Sequence, residues 1–204
     1  MVSFGLGGAL ESLEELRRLV EACRKCELWR VRKRPVFGEG PAGAKVMAIG
    51  LGPGYHENLQ GRPFVGAAGK LLDELLASAG LDRAKIYITN VVKCYLPDNK
   101  PTESQVRTCT SNYLDKQVAI INPKVILALG NVAAEYAFKK FGLRLKPMGS
   151  IHGRLHEAPS LFGPKLIVPM YHPAAALRNP GLREVVAEDW RRLGEALNAR
   201  LGAR

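Results

Sequence analysis

The sequence has no apolar run of about 18 residues, the length at which a membrane-spanning helix becomes a candidate. It also has no internal repeat and no low-complexity linker, which excludes solenoids and flexibly linked arrays of domains. The first segment, Met1–Glu11, is rich in glycine and lacks the basic start of a secretory signal. We therefore expect a cytoplasmic protein without a membrane partner, monomeric and built as one domain over residues 1–204.

Acidic residues are scarce relative to basic ones. The chain has 19 Asp and Glu against 30 Lys and Arg, which gives a net charge of +11. Such an excess is typical of proteins with a polyanionic partner, nucleic acid first, and the basic run Arg30–Pro35 is expected to contact phosphates. Glutamine is also rare while arginine is plentiful, a composition typical of thermophiles.

Four apolar runs punctuate the chain, and each begins with a lysine: Lys45–Gly50, Lys85–Asn90, Lys124–Gly130 and Lys165–Met170. Their continuous apolarity indicates parallel strands that are buried on both faces. Between and around them, helical patterns cover Glu11–Leu28, Gly66–Gly80, Thr102–Ile121, Asn131–Phe141 and Arg183–Leu201, and a hairpin is expected within Ser150–Val168. The alternation predicts a doubly wound, three-layer α/β/α domain.

The ends of these four runs carry the residues that indicate a site. Gly50-Leu51-Gly52 follows the first run, Asn90 ends the second, Asn131 follows the third and His172 follows the fourth. Each residue taken alone has a structural explanation, as a turn, a helix cap or a packed histidine. In an open parallel sheet, however, ligands bind beyond the carboxyl ends of the strands, so the shared location predicts a binding crevice there.

Four cysteines form the second group of candidate ligands. Cys23 and Cys26 have the C-x₂-C spacing, whereas Cys94 and Cys109 lie far apart in the sequence. A [4Fe–4S] cluster tolerates this spacing, while a Cys₄ zinc site usually draws on two C-x₂-C pairs. Two disulfides would be unusual in a reducing cytoplasm. Cluster, zinc, disulfides and four unrelated buried thiols all remain open on spacing alone.

Three motifs carry a family resemblance: "GLGPGYHENLQGRPFVGAAGKLLDELL", "YITNVVKC" and "YHPAAALRNP". Together they resemble the iron–sulfur uracil-DNA glycosylases, the fourth family of that superfamily, over about Cys23 to Pro180. The resemblance implies a four-stranded parallel sheet with helices on both faces. It also implies a [4Fe–4S] cluster held by Cys23, Cys26, Cys94 and Cys109. The implied activity is hydrolysis of the N-glycosidic bond of uracil in single- or double-stranded DNA, which leaves an abasic site and initiates base excision repair.

Carried over by position, the family pattern assigns roles around the base. Phe64 would stack on the flipped uracil, and the backbone N–H of Gly52 would help to hold it. The amide of Asn90 would read uracil N3–H and O4, because it presents a donor and an acceptor side by side. His172 would donate a hydrogen bond to uracil O2, where negative charge develops as the bond breaks.

The resemblance also implies contacts with the DNA backbone and duplex. Leu177 would wedge behind the extruded base, unless it is a core leucine of the following helix. Arg178 and Lys93 would contact phosphates, unless they are solvated surface charges.

The first motif departs from the family pattern at Leu51, where the family has a glutamate that is a candidate for handling the attacking water. A related glycosylase family has Gly-Leu-Ala-Pro at this point and still cleaves uracil, so the acid is not obligatory. Glu57 matches another family glutamate, and we expect it to position water or to crowd uracil C5 and so reject thymine. Losing a general base costs about 10²- to 10⁴-fold in rate.

Three functions therefore compete. The favoured one is a monofunctional uracil-DNA glycosylase in which the cluster is a structural staple. The second is a weak or non-catalytic reader of uracil or other deaminated bases in DNA, for which Leu51 is the main argument. The third is an α/β nucleotide-binding protein with a zinc staple, which only the generic sheet pattern supports.

Overall fold

The computed structural model describes residues 12–201, and the expectation about Met1–Glu11 therefore lies outside the described residues. The strands are Val46–Gly50 (β1), Tyr87–Asn90 (β2), Val125–Leu129 (β3), His156–Ala158 (β4) and Lys165–Met170 (β5). The helices are Leu13–Glu21 (α1), Tyr55–Gln60 (α2), Ala67–Ser78 (α3), Glu103–Cys109 (α4), Asp115–Ile121 (α5), Asn131–Lys140 (α6), Met148–Ile151 (α7), Pro173–Arg178 (α8) and Arg183–Leu201 (α9). Short 3₁₀ turns cover Glu27–Arg30, Arg83–Lys85 and Pro180–Leu182, and a π-helical turn covers Thr110–Leu114.

The strands form one sheet in the order β2-β1-β3-β5-β4. The first four run parallel to one another, as their apolar runs predict. The implied count of four strands is wrong, because β4 adds a fifth strand antiparallel to β5, with His156 opposite Ile167. This fifth strand comes from the hairpin expected within Ser150–Val168, and it makes the sheet mixed.

Helices cover both faces of the sheet, so the predicted α/β/α layering is confirmed. Successive residues of a strand point to opposite faces. Met47 and Ile49 accordingly pack on the side of α1, α5 and α6, whereas Val46 and Ala48 pack on the side of α3 and α9. All five residues of β1 are buried, which is why its sequence shows no polar alternation.

Two predicted helices differ from the structure. α1 begins at a capping box between Ser12 and Glu15, but it ends at Glu21 instead of continuing to Leu28, because the chain then turns through the loop that carries Cys23 and Cys26. The predicted helix over Thr102–Ile121 is continuous but contains the π-helical turn, which directly follows Cys109.

The outer edge of β2 is covered by the segment that precedes β1. Glu39 and Ile88 exchange two backbone hydrogen bonds of 2.9 and 2.8 Å, which form an isolated antiparallel bridge. No helix within residues 12–201 is both long and apolar enough to cross a bilayer.

Candidate active site

A cleft of about 640 Å³ opens at the carboxyl ends of the parallel strands, as expected for an open α/β sheet. Its wall includes one residue from each of the four predicted strand ends, namely Gly52, Asn90, Asn131 and His172. Glu57 of α2 and Phe64 of the loop before α3 also line the wall. The volume lies within the range of about 300–1,000 Å³ that is typical of small-molecule sites.

Phe64 is held in a strained backbone conformation. Its φ of 52° lies in the left-handed region, which an aromatic residue rarely adopts and which costs about 1–3 kcal/mol. Gly69 permits this turn, since a Cβ there would lie far inside contact distance of the Phe64 carbonyl oxygen. Arg83 donates to the carbonyl of Pro63 at 2.9 Å, and Glu57 Oε1 accepts from the N–H of Val65 at 2.8 Å. The surrounding contacts therefore fix the ring at the cleft wall.

Gly50, the last residue of β1, lies against the side chains of both Asn90 and Phe64. A Cβ at this position would come within 2.5 Å of Asn90 Oδ1 and 2.7 Å of Phe64 Cζ. Asn90 is only 2% exposed, yet its side-chain amide forms no hydrogen bond within residues 12–201. The backbone N–H of Gly52 is likewise without a partner in the described part of the chain. The cleft thus offers an amide and an N–H group that a ligand can use.

His172 faces this cleft as a neutral donor. Its ring is stacked on Phe64, with the centroids 5.5 Å apart and the planes at 25°. Its Nδ1 accepts the N–H of Ala174 at 3.1 Å at the start of α8, which leaves Nε2 to carry the proton. The pKa of His172 is lowered to about 4, chiefly by burial and also by the charge of Arg178, while Glu57 opposes the shift. The imidazole is therefore uncharged at neutral pH.

Glu57 and Leu51 both line the cleft, but Glu57 is held by hydrogen bonds and Leu51 by apolar packing. Glu57 Oε1 accepts from the N–H of Val65 and also from that of Gly66 at 3.0 Å, so one oxygen holds the Phe64 loop and Oε2 remains available. Leu51 lines the cleft and packs against the core on the α1 side of the sheet. Its carbonyl accepts from the N–H of Val92 at 2.9 Å, which extends the β1–β2 pairing past the strand ends.

The predicted DNA-contacting residues differ in exposure to solvent. Leu177 is 39% exposed, so the alternative of a core leucine is excluded, and Arg178 is exposed at the rim of the cleft. The prediction that Lys93 contacts phosphates is wrong, because the residue is 1% exposed. Burial lowers the pKa of Lys93 to about 7, and a thiolate at Cys109 would raise it. No carboxylate in the described part of the chain pairs with this buried amine.

The four cysteines are free thiols, which contradicts the disulfide alternative. They surround one small cavity beside the cleft, between α1, α4 and the turn after β2, and burial raises the pKa of Cys109 to about 12. Arg32 Nη1 donates to Cys94 Sγ at 3.0 Å, and the N–H of Lys93 donates to Cys109 Sγ at 3.2 Å. Four sulfur donors, N–H groups aimed at sulfur and a nearby buried amine fit an anionic four-thiolate iron–sulfur group. Within residues 12–201, no three His, Cys, Asp or Glu side chains form a group that could hold a metal ion as they stand.

Sequence reasoning missed two residues of these regions. Asn99 lines the cleft in a left-handed conformation with φ of 53°, but "PDNKP" is typical of an ordinary turn. Arg32 belongs to the basic run expected to contact phosphates, and the structure instead joins it to Cys94 Sγ and to the carbonyls of Glu21 and Cys23. The sequence carries no signal for the position of Asn99 in the cleft wall or for the hydrogen bonds of Arg32, because both depend on segments that are distant in the sequence.

The largely parallel sheet with a cleft at its strand ends, and with Phe64 and His172 stacked in that cleft, defines an α/β protein with a site of small-molecule size. Residues 37–194 match the uracil DNA glycosylase superfamily, and the chain belongs to this superfamily. The chain is 42% identical over 194 residues to the Type-4 uracil-DNA glycosylase of Saccharolobus solfataricus, which covers 94% of this chain and 89% of that protein. It is 43% identical over 188 residues to the Type-4 uracil-DNA glycosylase of Archaeoglobus fulgidus, with 91% and 94% covered.

More distant relatives belong to another type. The Type-5 uracil-DNA glycosylase of Thermus thermophilus is 34% identical over 154 residues, 68% of each chain. The resemblance inferred from the motifs is confirmed, and the nucleotide-binding alternative is wrong. The prediction of a single domain over 1–204 stays a prediction, since the superfamily match covers residues 37–194.

Proposed function

We propose that this chain is a monofunctional uracil-DNA glycosylase that hydrolyses the N-glycosidic bond of uracil in DNA. The relatives are named for this activity and are similar over about nine-tenths of the chain. The observation that carries the proposal is the side-chain amide of Asn90, which has no hydrogen bond in the described structure and lines the cleft beside Phe64 and His172. An amide that faces the cleft without a protein partner is free to bind a ligand with a matching donor and acceptor.

The uracil is flipped out of the helix stack into the cleft. There the amide of Asn90 pairs with uracil N3–H and O4, and the N–H of Gly52 holds a second edge of the base. Cytosine presents an amino group where uracil presents O4, so the same amide cannot pair with both bases equally well. The ring of Phe64 stacks on the base and excludes water from it.

Bond breaking places negative charge on the departing uracil. His172 stabilises this charge by donating its Nε2–H to uracil O2, since its Nδ1 is already occupied by the N–H of Ala174. The pKa of His172, lowered to about 4, keeps the ring neutral, so it donates this hydrogen bond without transferring a full proton. Water adds to the sugar carbon, its proton leaves to solvent or to the free Oε2 of Glu57, and an abasic site remains.

The rim of the cleft serves the rest of the DNA. Leu177 and Arg178 are exposed on α8. In the complex, Leu177 fills the gap left by the flipped base and Arg178 contacts a phosphate. The net charge of +11 supports binding to single- or double-stranded DNA through the backbone.

Cys23, Cys26, Cys94 and Cys109 would hold a [4Fe–4S] cluster. When bound, the group supplies a structural link and no redox step, because hydrolysis of an N-glycosidic bond transfers no electrons. The thiols join the loop after α1, the turn after β2 and the end of α4, and Arg32 reinforces the same junction. The guanidinium of Arg32 binds the sulfur of Cys94 and the carbonyls of Glu21 and Cys23, and so links the turn after β2 to the end of α1.

Uracil-containing oligonucleotides test the proposal directly. We expect alkali-labile abasic sites to form on single- and double-stranded substrates with uracil, and none on matched substrates with thymine or cytosine. The second candidate is a reader of deaminated bases, which the apolar Leu51 in the cleft wall favours. Tight, uracil-dependent binding without abasic sites would establish the reader and contradict the glycosylase. The cytoplasmic location and the monomeric state stay predictions.

A further inference from the structure

Lys93 lies between the cleft and the cysteine cavity and is one of the most deeply buried side chains of the protein. Its Nζ donates to Thr89 Oγ1 at 2.7 Å, to the carbonyl oxygen of Asn90 at 2.7 Å and to Gln117 Oε1 at 2.6 Å. An ammonium group has three N–H donors, and each one here has an acceptor. The side chain is therefore fully committed to the interior.

The backbone of Lys93 is committed as well. Its N–H donates to Cys109 Sγ, and its carbonyl accepts from the N–H of Val36 at 2.8 Å. The next residue in the chain is Cys94. Lys93 thus joins two cysteines of the cavity to the carbonyl of the residue whose amide lines the cleft.

The hydrogen bond from Lys93 Nζ satisfies a carbonyl of Asn90 that faces away from β1. The backbone N–H and C=O of Ile88 face the outer edge of β2, where they bond to Glu39. The backbone carbonyl of Asn90, two residues further on, faces the same edge. On the inner edge, the N–H of Val91 bonds to the carbonyl of Gly50 at 2.9 Å. The ammonium of Lys93 takes the place that a strand partner would occupy at Asn90.

We propose that Lys93 is a positioning residue that fixes Asn90 for base recognition and ties it to the cysteine centre. The inference rests on the proposed function, in which Asn90 reads the base. A cation buried without a carboxylate partner costs stability, and an apolar residue of similar length would fill the same volume. Removing the ammonium leaves three buried acceptors with one partner fewer, and the turn that carries Asn90 can then shift.

The experiment compares Lys93→Met with Lys165→Met. Lys165 is a matched control because it is also buried, at 5% exposure, but its Nζ bonds to Asn122 at the opposite end of the sheet. Binding of free uracil is measured by calorimetry on iron-loaded protein, alongside binding of an undamaged oligonucleotide. We expect Lys93→Met to weaken uracil binding about tenfold or more, because small displacements of a positioned group are costly. Binding of undamaged DNA should not change, and Lys165→Met should match the wild type in both assays.

A purely structural role would lower the unfolding temperature or the active fraction and leave the uracil affinity of the folded molecules unchanged. If Lys93→Met does not fold or load iron, Thr89→Val and Thr89→Ser test the inference in its place. Thr89 accepts from the ammonium of Lys93 and bonds to no cysteine. The valine variant should weaken uracil binding and the serine variant should restore it. Wild-type affinity in Thr89→Val, or in a folded Lys93→Met, would overturn the inference. Wild-type protein that binds uracil but forms no abasic sites would contradict the proposed function alone.

Discussion

The cleft and the cysteine cavity use their polar groups in opposite ways. In the cleft, the amide of Asn90 and the N–H of Gly52 have no hydrogen-bond partner among residues 12–201. Around the cavity, the ammonium of Lys93 uses all three of its donors, and Arg32 binds both a sulfur and backbone carbonyls. Under the proposed function, groups that would read a transient base are left free, whereas groups around the proposed cluster are already bound. The difference is the one expected between a site that exchanges its occupant and a site that keeps it.

The largest expected effect is on the cavity side. Cys94→Ser removes a buried sulfur that accepts from Arg32, and serine is a poor ligand for iron. We expect the wild type, purified without oxygen, to contain about four irons and four sulfides per chain. The variant should lose most of this iron and unfold at a temperature at least about 10 °C lower. Zinc in the wild type, or full iron in the variant, would contradict the assignment of this cavity.

On the cleft side, His172→Ala should lower the rate of excision by about 10²- to 10³-fold, the usual worth of one donor aimed at developing charge. Iron content and the unfolding temperature should change little, because the cavity lies elsewhere. His56→Ala is the matched control, since His56 is exposed on α2 and does not line the cleft. Equal losses in the two variants, measured under single-turnover conditions, would remove His172 from the reaction.

The pH dependence of the excision rate at acid pH is a further test of the cleft side, through His172. A histidine normally has a pKa of about 6.5, and burial lowers that of His172 to about 4. The folded protein therefore favours the neutral ring, and the stability gained from it is present above the ordinary pKa and lost as the pH falls through the lowered one. Excision should stay near its maximum as the pH falls through 6.5 and decline only toward 4. Single-turnover rates with parallel circular dichroism measure this, and an acid limb centred at the ordinary histidine pKa would count against the neutral donor.

A smaller effect is expected at the rim. Arg178→Ala removes one cation from the exposed end of α8, and it should reduce the salt dependence of DNA binding by about one ion. Arg200→Ala is the control, because Arg200 pairs with Glu157 at the other end of the sheet. Affinities for one oligonucleotide across a salt series give both slopes. Identical slopes for Arg178→Ala and the wild type would exclude the phosphate contact.

The smallest expected effect concerns the missing acid. Leu51→Glu restores the carboxylate of the family pattern, but the side chain at this position packs against the core and would solvate a charge poorly. We expect little or no gain in rate. A gain beyond about 10²-fold would show that general-base assistance was lacking. The wild type would then be better described as a weak glycosylase or a damage reader.

Much of the fold could be predicted because buried parallel strands have continuous apolar sequences. β1, β2, β3 and β5 all follow such runs. The fifth strand, β4, has three residues and belongs to a hairpin, so no periodicity can reveal its pairing. The end of α1 was also beyond prediction, since the loop through Cys23 and Cys26 follows the geometry of the cavity and not helix propensity.

The residues of the site could also be predicted only in part. Phe64, Asn90 and His172 were predicted from motifs, and the structure brings all three to one cleft. For Lys93, the phosphate contact implied by the resemblance and the alternative of a solvated charge both require an exposed side chain, as is usual for lysine. The structure buries it against two nearby acceptors, Thr89 and Asn90, and the distant Gln117. The types of the neighbouring residues do not show which of them will accept hydrogen bonds from a buried side chain.

Gly50 has a consequence for recognising related proteins. Any side chain at this position must displace Asn90 or Phe64, because its first carbon would come within 2.5 Å of one and 2.7 Å of the other. The single letter at position 50 is therefore a diagnostic that can be read without a structure. A homologous chain that keeps the other motifs but carries a larger residue here is expected to have lost this mode of holding a base.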